Sequence, residues 1–141
     1  MKTVQKLALL MSMVWLLSAI PAMAQVDNGL TFQAPFAFYA GNAKLPAGSY
    51  RVSQADDNSE LLLIESTDGA HSVFVDYSAD DSGAVPAKTE VTFNKYGSTE
   101  FLGRISIEGQ NFLQIAASKA EQHAAQVATS EKHSLTAKNG R

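Results

Sequence analysis

Between Leu30 and about Ala117 apolar side chains recur at every second position in short runs, and turn-forming residues break the runs at intervals of roughly ten. A strand sends successive side chains to opposite faces, whereas a helix repeats every three to four residues. Period two therefore excludes a helical bundle for this stretch and predicts an antiparallel β domain with one face turned inward. In the first run Phe32, Ala34, Phe36 and Phe38 share that inward face. Pro35 lacks the amide donor that a ladder needs and marks the run as an edge strand.

The turns are readable from their own chemistry. In Leu45-Pro46-Ala47-Gly48-Ser49-Tyr50, Pro46 presets the backbone for the second position of a β-turn and Gly48 suits the fourth, so a strand starts at Tyr50-Arg51-Val52. Leu61-Leu62-Leu63-Ile64 is continuously apolar and predicts a strand buried on both faces, bounded by Asp56-Asp57-Asn58-Ser59 and by Thr67-Asp68-Gly69. Asp68-Gly69 is a hairpin signal leading into Val73-Phe74-Val75. Ser78 to Pro86 is the longest turn-rich stretch and is expected to be a mobile loop. Val91 and Phe93 alternate with polar residues, the chain reverses at Tyr96-Gly97, and Phe101, Ile105 and Ile107 follow. A further turn at Gly109-Gln110-Asn111 leads to Phe112–Ile115. The expected fold is all-β, an antiparallel meander of about seven strands closing as a sandwich or a small barrel. A propeller or solenoid would need a repeated motif, and the sequence has none.

After this region the spacing changes. Ser118-Lys119-Ala120-Glu121 fits the S-x-x-E capping box, in which the serine satisfies an amide of the first turn and the glutamate reaches back to the cap. A short helix is predicted over 118–129. Its inward face offers only Ala120, Ala124, Val127 and Ala128, too little apolar area to dock firmly. The polar segment 130–141 reads as a disordered tail.

At the other end, Lys2 and Lys6 flank a polar start, and Leu7 to Ile20 is free of charge. Pro21 ends any helix there, and Ala22-Met23-Ala24 is a small-x-small cleavage site. A basic start, an apolar stretch of this length and such a site form the layout of a secretory leader; a membrane span needs about 20 apolar residues. Residues 1–24 are therefore expected to be removed by cleavage between Ala24 and Gln25, leaving a β domain over 25–117 followed by the helix and tail. No cysteine follows the apolar stretch to carry a lipid, and no second apolar run exists, so the processed chain is expected to be exported, periplasmic or extracellular, and without a membrane span.

Processing has chemical consequences. It removes two lysines, leaving nine basic side chains against fourteen acidic ones and a net charge of −5. That balance argues against a nucleic-acid partner, whose phosphates call for a basic face. All four methionines and the only tryptophan, Trp15, lie in the leader, and the chain has no cysteine. Disulfides, thiolate nucleophiles, thiolate metal sites and covalent haem attachment are excluded.

The remaining chemistry is sparse. His71, His123 and His133 show no metal-ligand spacing on a rigid element, and the pairs Asp56-Asp57 and Asp80-Asp81 do not match a calcium-binding loop. There is no G-x-S-x-G elbow and no glycine-rich loop ahead of a helix to cradle phosphate. No catalytic residue, metal or cofactor is therefore expected. Tyr39, Tyr77 and Tyr96 lie in turns or out of phase with the inward residues, and form the candidate contact surface for stacking on a ligand.

Several of these segments together resemble an uncharacterised family of small exported bacterial β-rich proteins. The shared features are the leader, Pro35-Phe36-Ala37-Phe38, Leu45-Pro46-Ala47-Gly48-Ser49-Tyr50, Val91-Thr92-Phe93-Asn94-Lys95-Tyr96-Gly97 with Phe101-Leu102, and Ser118-Lys119-Ala120-Glu121. They span most of the processed chain in one order. The resemblance implies one extracytoplasmic β domain and brings no activity, substrate or site. The expected role is a non-catalytic binding or envelope-associated module, whose partner is an extracytoplasmic protein, a glycan or a small apolar ligand. Two alternatives stand beside it. One is an apolar-ligand carrier, with Phe36, Phe38, Phe93 and Phe101 lining a barrel cavity. The other is a hydrolase working through two carboxylates.

Overall fold

The alternating runs close into a β-barrel of eight strands. The structure is a computed structural model and describes residues 29–57, 60–80, 82, 84–110 and 112–140. The expected leader, with its cleavage position between Ala24 and Gln25, lies outside these residues. In chain order the described elements are β1 (Leu30–Ala34), β2 (Phe38–Ala40), β3 (Ala43–Leu45), β4 (Gly48–Gln54), β5 (Leu61–Ser66) and β6 (Ser72–Asp80). After these come β7 (Glu90–Tyr96), β8 (Thr99–Ser106), β9 (Phe112–Ile115), α1 (Lys119–Val127) and β10 (Ser130–Asn139).

The ring runs β8-β7-β10-β1-β4-β5-β6-β9, and β9 pairs back onto β8 to close it. The first and last strands are neighbours, with Leu30 opposite Asn139 and Phe32 opposite Ala137. Every pair in the ring is antiparallel; the β2–β3 hairpin departs from the expected meander by joining β8 in parallel, Phe38 opposite Glu100 and Tyr39 opposite Phe101. It occupies the edge of β8 that β9 leaves open, since β9 pairs only from Arg104 to Ser106. A register shift between Thr92 and Phe93 on β7 leaves Gly103 as an extra residue on β8. Such a bulge bends the strand and raises its twist.

Four expectations need correction. The segment 130–141 is no disordered tail over most of its length, because Ser130–Asn139 forms β10, inserted between β1 and β7. Its backbone bonds on both sides are independent of side chains, and only Leu135 and Ala137 contribute apolar burial, so composition carries almost no trace of it. The run Phe32–Phe38 is two strands, and β1 is interior, paired with both β4 and β10. Pro35 sits in the bend just past β1, where its missing donor costs no ladder bond. The strand β5 is buried on one face only: Leu62 and Ile64 point inward, while Leu61 and Leu63 are half-buried outside. Finally, Ser78–Asp80 belongs to β6 and pairs with β9, so the turn-rich stretch begins after Asp80.

The hairpin signals fall where their chemistry places them. Gly69, Gly97 and Gly109 turn at φ of 74°, 62° and 73°, a region where a side chain is strained. Phe32, Phe38, Tyr50 and Phe93 pack inside one half of the barrel, with Phe38 edge-on to Tyr50 at 5.1 Å and to Phe93 at 5.2 Å. Edge-on contacts add about 0.5–1.5 kcal/mol each beyond area burial. The opposite half is lined by aliphatic side chains.

Candidate functional site

That division between rings and aliphatic chains shapes the interior. At the end where β4 finishes and β5 begins, Leu30, Val52, Leu62, Ile105, Ile107 and Leu113 surround a hollow of about 310 Å³ that opens to solvent. Leu30, Val52, Leu62 and Ile105 also belong to the buried core, so the floor of the hollow is continuous with it. Ser53, Gln54, Asp57, Tyr77 and Gln110 form its polar rim. Gln54 donates from Nε2 to the Tyr77 hydroxyl at 3.3 Å, which leaves that hydroxyl its own proton to give. Asp57 is the single carboxylate among the described residues lining the hollow. A two-carboxylate hydrolase would need a second acid across from it.

The tyrosines expected to form one contact surface divide between two places. Tyr77 stands at this mouth, whereas Tyr39 and Tyr96 meet on the outer wall around Phe101, at ring distances of 5.1 Å and 5.8 Å. Phe101 is buried there and does not line the barrel interior. A cleft of about 350 Å³ separates these rings from Ala120, His123, Ala124, Val127 and Ala128 of α1 and its C-terminal cap. The helix is held by a polar pin: Asn94 donates from Nδ2 to the buried Glu121 carboxylate at 2.8 Å. The Ser118 hydroxyl accepts the Glu121 amide as the capping box requires. The Glu121 side chain, however, is engaged by the barrel wall and does not reach back to the cap. Asn94 also accepts from Lys132 Nζ at 3.3 Å, tying β10 to the same node.

At the far end the Leu45–Tyr50 turn lies beside the turn between β5 and β6. The Tyr50 hydroxyl donates to the Pro46 carbonyl at 2.6 Å, locking the Leu45–Tyr50 turn against its own strand. Burial, and secondarily the Asp68 carboxylate, push the Tyr50 phenol above its ordinary value of 10.0. Asp68 is held below the ordinary 3.8, first by the hydroxyl of Ser66 and then by the amide of Ala70. The Ser66 hydroxyl donates to Asp68 at 2.6 Å and accepts the His71 amide at 2.9 Å. Because the hydroxyl proton goes to the carboxylate and His71 supplies only its backbone, the trio Ser66, Asp68 and His71 is turn chemistry and lacks the base of a nucleophilic dyad.

His133 lies elsewhere, on β10, with Nδ1 at 3.3 Å from Glu100 Oε1 and its ring 5.0 Å from Phe36. The other Glu100 oxygen is buried without a hydrogen-bond partner among the described residues. His123 faces the outer cleft. The three histidines therefore stand on three different surfaces.

Sequence reasoning missed Gln54, Asp57 and Gln110 as parts of one site. Gln54 ends β4 and Asp57 lies in the connection after it, whereas Gln110 lies in the β8–β9 connection, and only strand order brings the two stretches to the same end. No described helix is long and apolar enough to cross a membrane. Comparison with family models, with curated proteins and with solved structures found no match to this chain.

Proposed function

We propose that this protein is an exported, non-catalytic β-barrel that binds a small amphiphilic molecule in its open mouth. The observation that carries the reading is the hollow of about 310 Å³, with an aliphatic floor and a hydrogen-bonding rim. Small-molecule sites are concave, mostly apolar and about 300–1,000 Å³, with a few polar groups that fix orientation, and barrel mouths are a recurrent place for them. This hollow falls at the small end of that range, which favours a short tail over a long lipid chain. The Phe-lined cavity of the carrier alternative is replaced by an aliphatic one, since the rings of Phe32, Phe38 and Phe93 fill the opposite half. Export rests on the leader, and the resemblance to the exported β-rich family belongs to the same proposal.

Two measurements test it. Titration with 1-octanol, followed by methyl resonances, is expected to shift Leu62, Ile107 and Leu113 and to leave Val91 unmoved. Ile107→Trp, which fills the mouth, is expected to abolish those shifts while the variant stays folded. Uniform small shifts throughout the core would overturn the reading. Intact-mass analysis of protein recovered from the periplasm or medium is expected to place the first residue at Gln25, with no indole fluorescence; retained indole emission would contradict cleavage after Ala24.

A further inference from the structure

We infer that the cleft between the outer wall and α1 is a second binding site, separate from the mouth, and that it takes a saccharide: a pyranose ring laid on Tyr96, with its hydroxyl groups bonded by the side chains around it. The stretches that build the cleft, 38–45, 94–101 and 118–130, are described without a break. Its volume of about 350 Å³ lies within the range of small-molecule sites.

Two properties of the cleft bear on its ligand. The first is an aromatic wall that is assembled and only partly covered. Tyr39, Phe101 and Tyr96 stand in a row on neighbouring strands, Phe101 stacked on Tyr39 and meeting Tyr96 at 71°. Lys44 Nζ lies 6.0 Å from the Tyr39 centroid, and β3, which carries it, flanks β2 on the side away from β8. Tyr39 therefore has a neighbour on each side. Tyr96 ends the row and is half-buried, so part of its ring is left to a ligand. Across the cleft Ala120 and Ala124 reach out by one methyl group each, and Val127 at the edge is 76% exposed.

The second property is a set of unpaired polar groups. Thr99, His123 and the two tyrosines all line the cleft, and none of their side chains has a hydrogen-bond partner among the described residues. Hydroxyls and a neutral imidazole both donate and accept, which suits a ligand whose own groups are hydroxyls. An alkyl tail or a plain aromatic ring would use the wall and leave these groups unanswered. A pyranose meets both demands, because its C–H groups form an apolar face and its hydroxyls ring the edge. A site built to hydrogen-bond hydroxyl groups also rejects an analogue that lacks them.

The test titrates cellobiose, phenol and glycerol into protein purified after expression of the whole 141-residue reading frame, followed by methyl resonances. Cellobiose is expected to shift Ala120, Ala124 and Val127 and to leave Leu62 and Leu113 of the mouth unmoved. Tyr96→Leu, which removes the ring, should weaken cellobiose about three- to tenfold. His123→Ala changes an exposed helix position and should weaken cellobiose by about the same factor while leaving phenol unchanged. Phenol binding as tightly as cellobiose would overturn the assignment in favour of a flat aromatic ligand. Glycerol reproducing the shifts would overturn it too, since hydroxyls without a ring face would then suffice. Cellobiose that leaves the α1 methyl groups unmoved, or binds both variants as it binds wild type, sinks the inference. None of these results touches the reading of the mouth, which 1-octanol reports separately.

Discussion

Tyr50 does three jobs with one side chain. Its ring packs edge-on against Phe38 and stacks on Phe32, its hydroxyl satisfies the Pro46 carbonyl, and its strand position fixes the turn that feeds β4. Removing the hydroxyl in Tyr50→Phe keeps the packing but orphans a carbonyl in a tight turn. The expected cost is about 1–2 kcal/mol, read from denaturant midpoints with an unchanged slope. The same substitution changes the pH response. The raised phenol favours the native state fully below 10.0, and that contribution is lost as pH climbs through the raised native value. Wild type should therefore lose stability in the alkaline window above 10.0, and Tyr50→Phe should lose less over the same window. For Asp68 the sign is opposite: its depressed carboxyl stabilises above 3.8, and the contribution disappears as pH falls through the lower native value. The sequence made Pro46, Gly48 and Asp68 legible, because turn residues act locally. It left Tyr50 as a strand residue, since a hydroxyl bonding four residues back needs the turn to be closed first.

At the scale of elements, α1 and β10 show why some of the structure was readable and some was not. The helix was visible through Ser118 and Glu121, whose spacing is a local signal, and the start at Lys119 follows it. What holds the helix was invisible, because Glu121 bonds Asn94, a residue 27 positions away. Period two also fails at β10, where polar residues fill most positions on both faces; a strand flanked on both edges can form without a continuous apolar stripe. One node joins the two elements. Asn94 reaches Glu121 and Lys132, and a side chain placed on Gly103 would come within 2.6 Å of Asn94 Nδ2. The bulge glycine therefore clears room for the pin. Glu121→Ala should release α1, at a cost of about 1–3 kcal/mol and with faster amide exchange confined to 119–127. Gly103→Ala should displace Asn94 and loosen the same helix. Because both act through one hydrogen bond, the double variant should fall short of the sum in a double-mutant cycle.

At the scale of the whole molecule, the feature that matters most is where the first and last described strands meet. β10 is the last described strand in sequence and sits between β1 and β7, so the barrel is a ring only when both β1 and β10 are in place. Ending the chain at Thr129 removes one strand and exposes the edges of two others. The expected outcome is loss of the cooperative unfolding transition, together with association through the freed edges, checked by denaturant unfolding and light scattering. Loss of α1 alone, by contrast, should leave the transition intact.

The position of the closing strand also sets a clock. A ribosome adds residues from the amino end, and β1 has no partner on its β10 side until nearly all 141 residues have emerged. Pairing of Leu30 with Asn139 makes closure a contact between residues distant in sequence, the kind that topology renders slow. β10 follows every other strand of the ring in sequence, so the ring stays one strand short until that segment has been made, and its closure waits on the last strand.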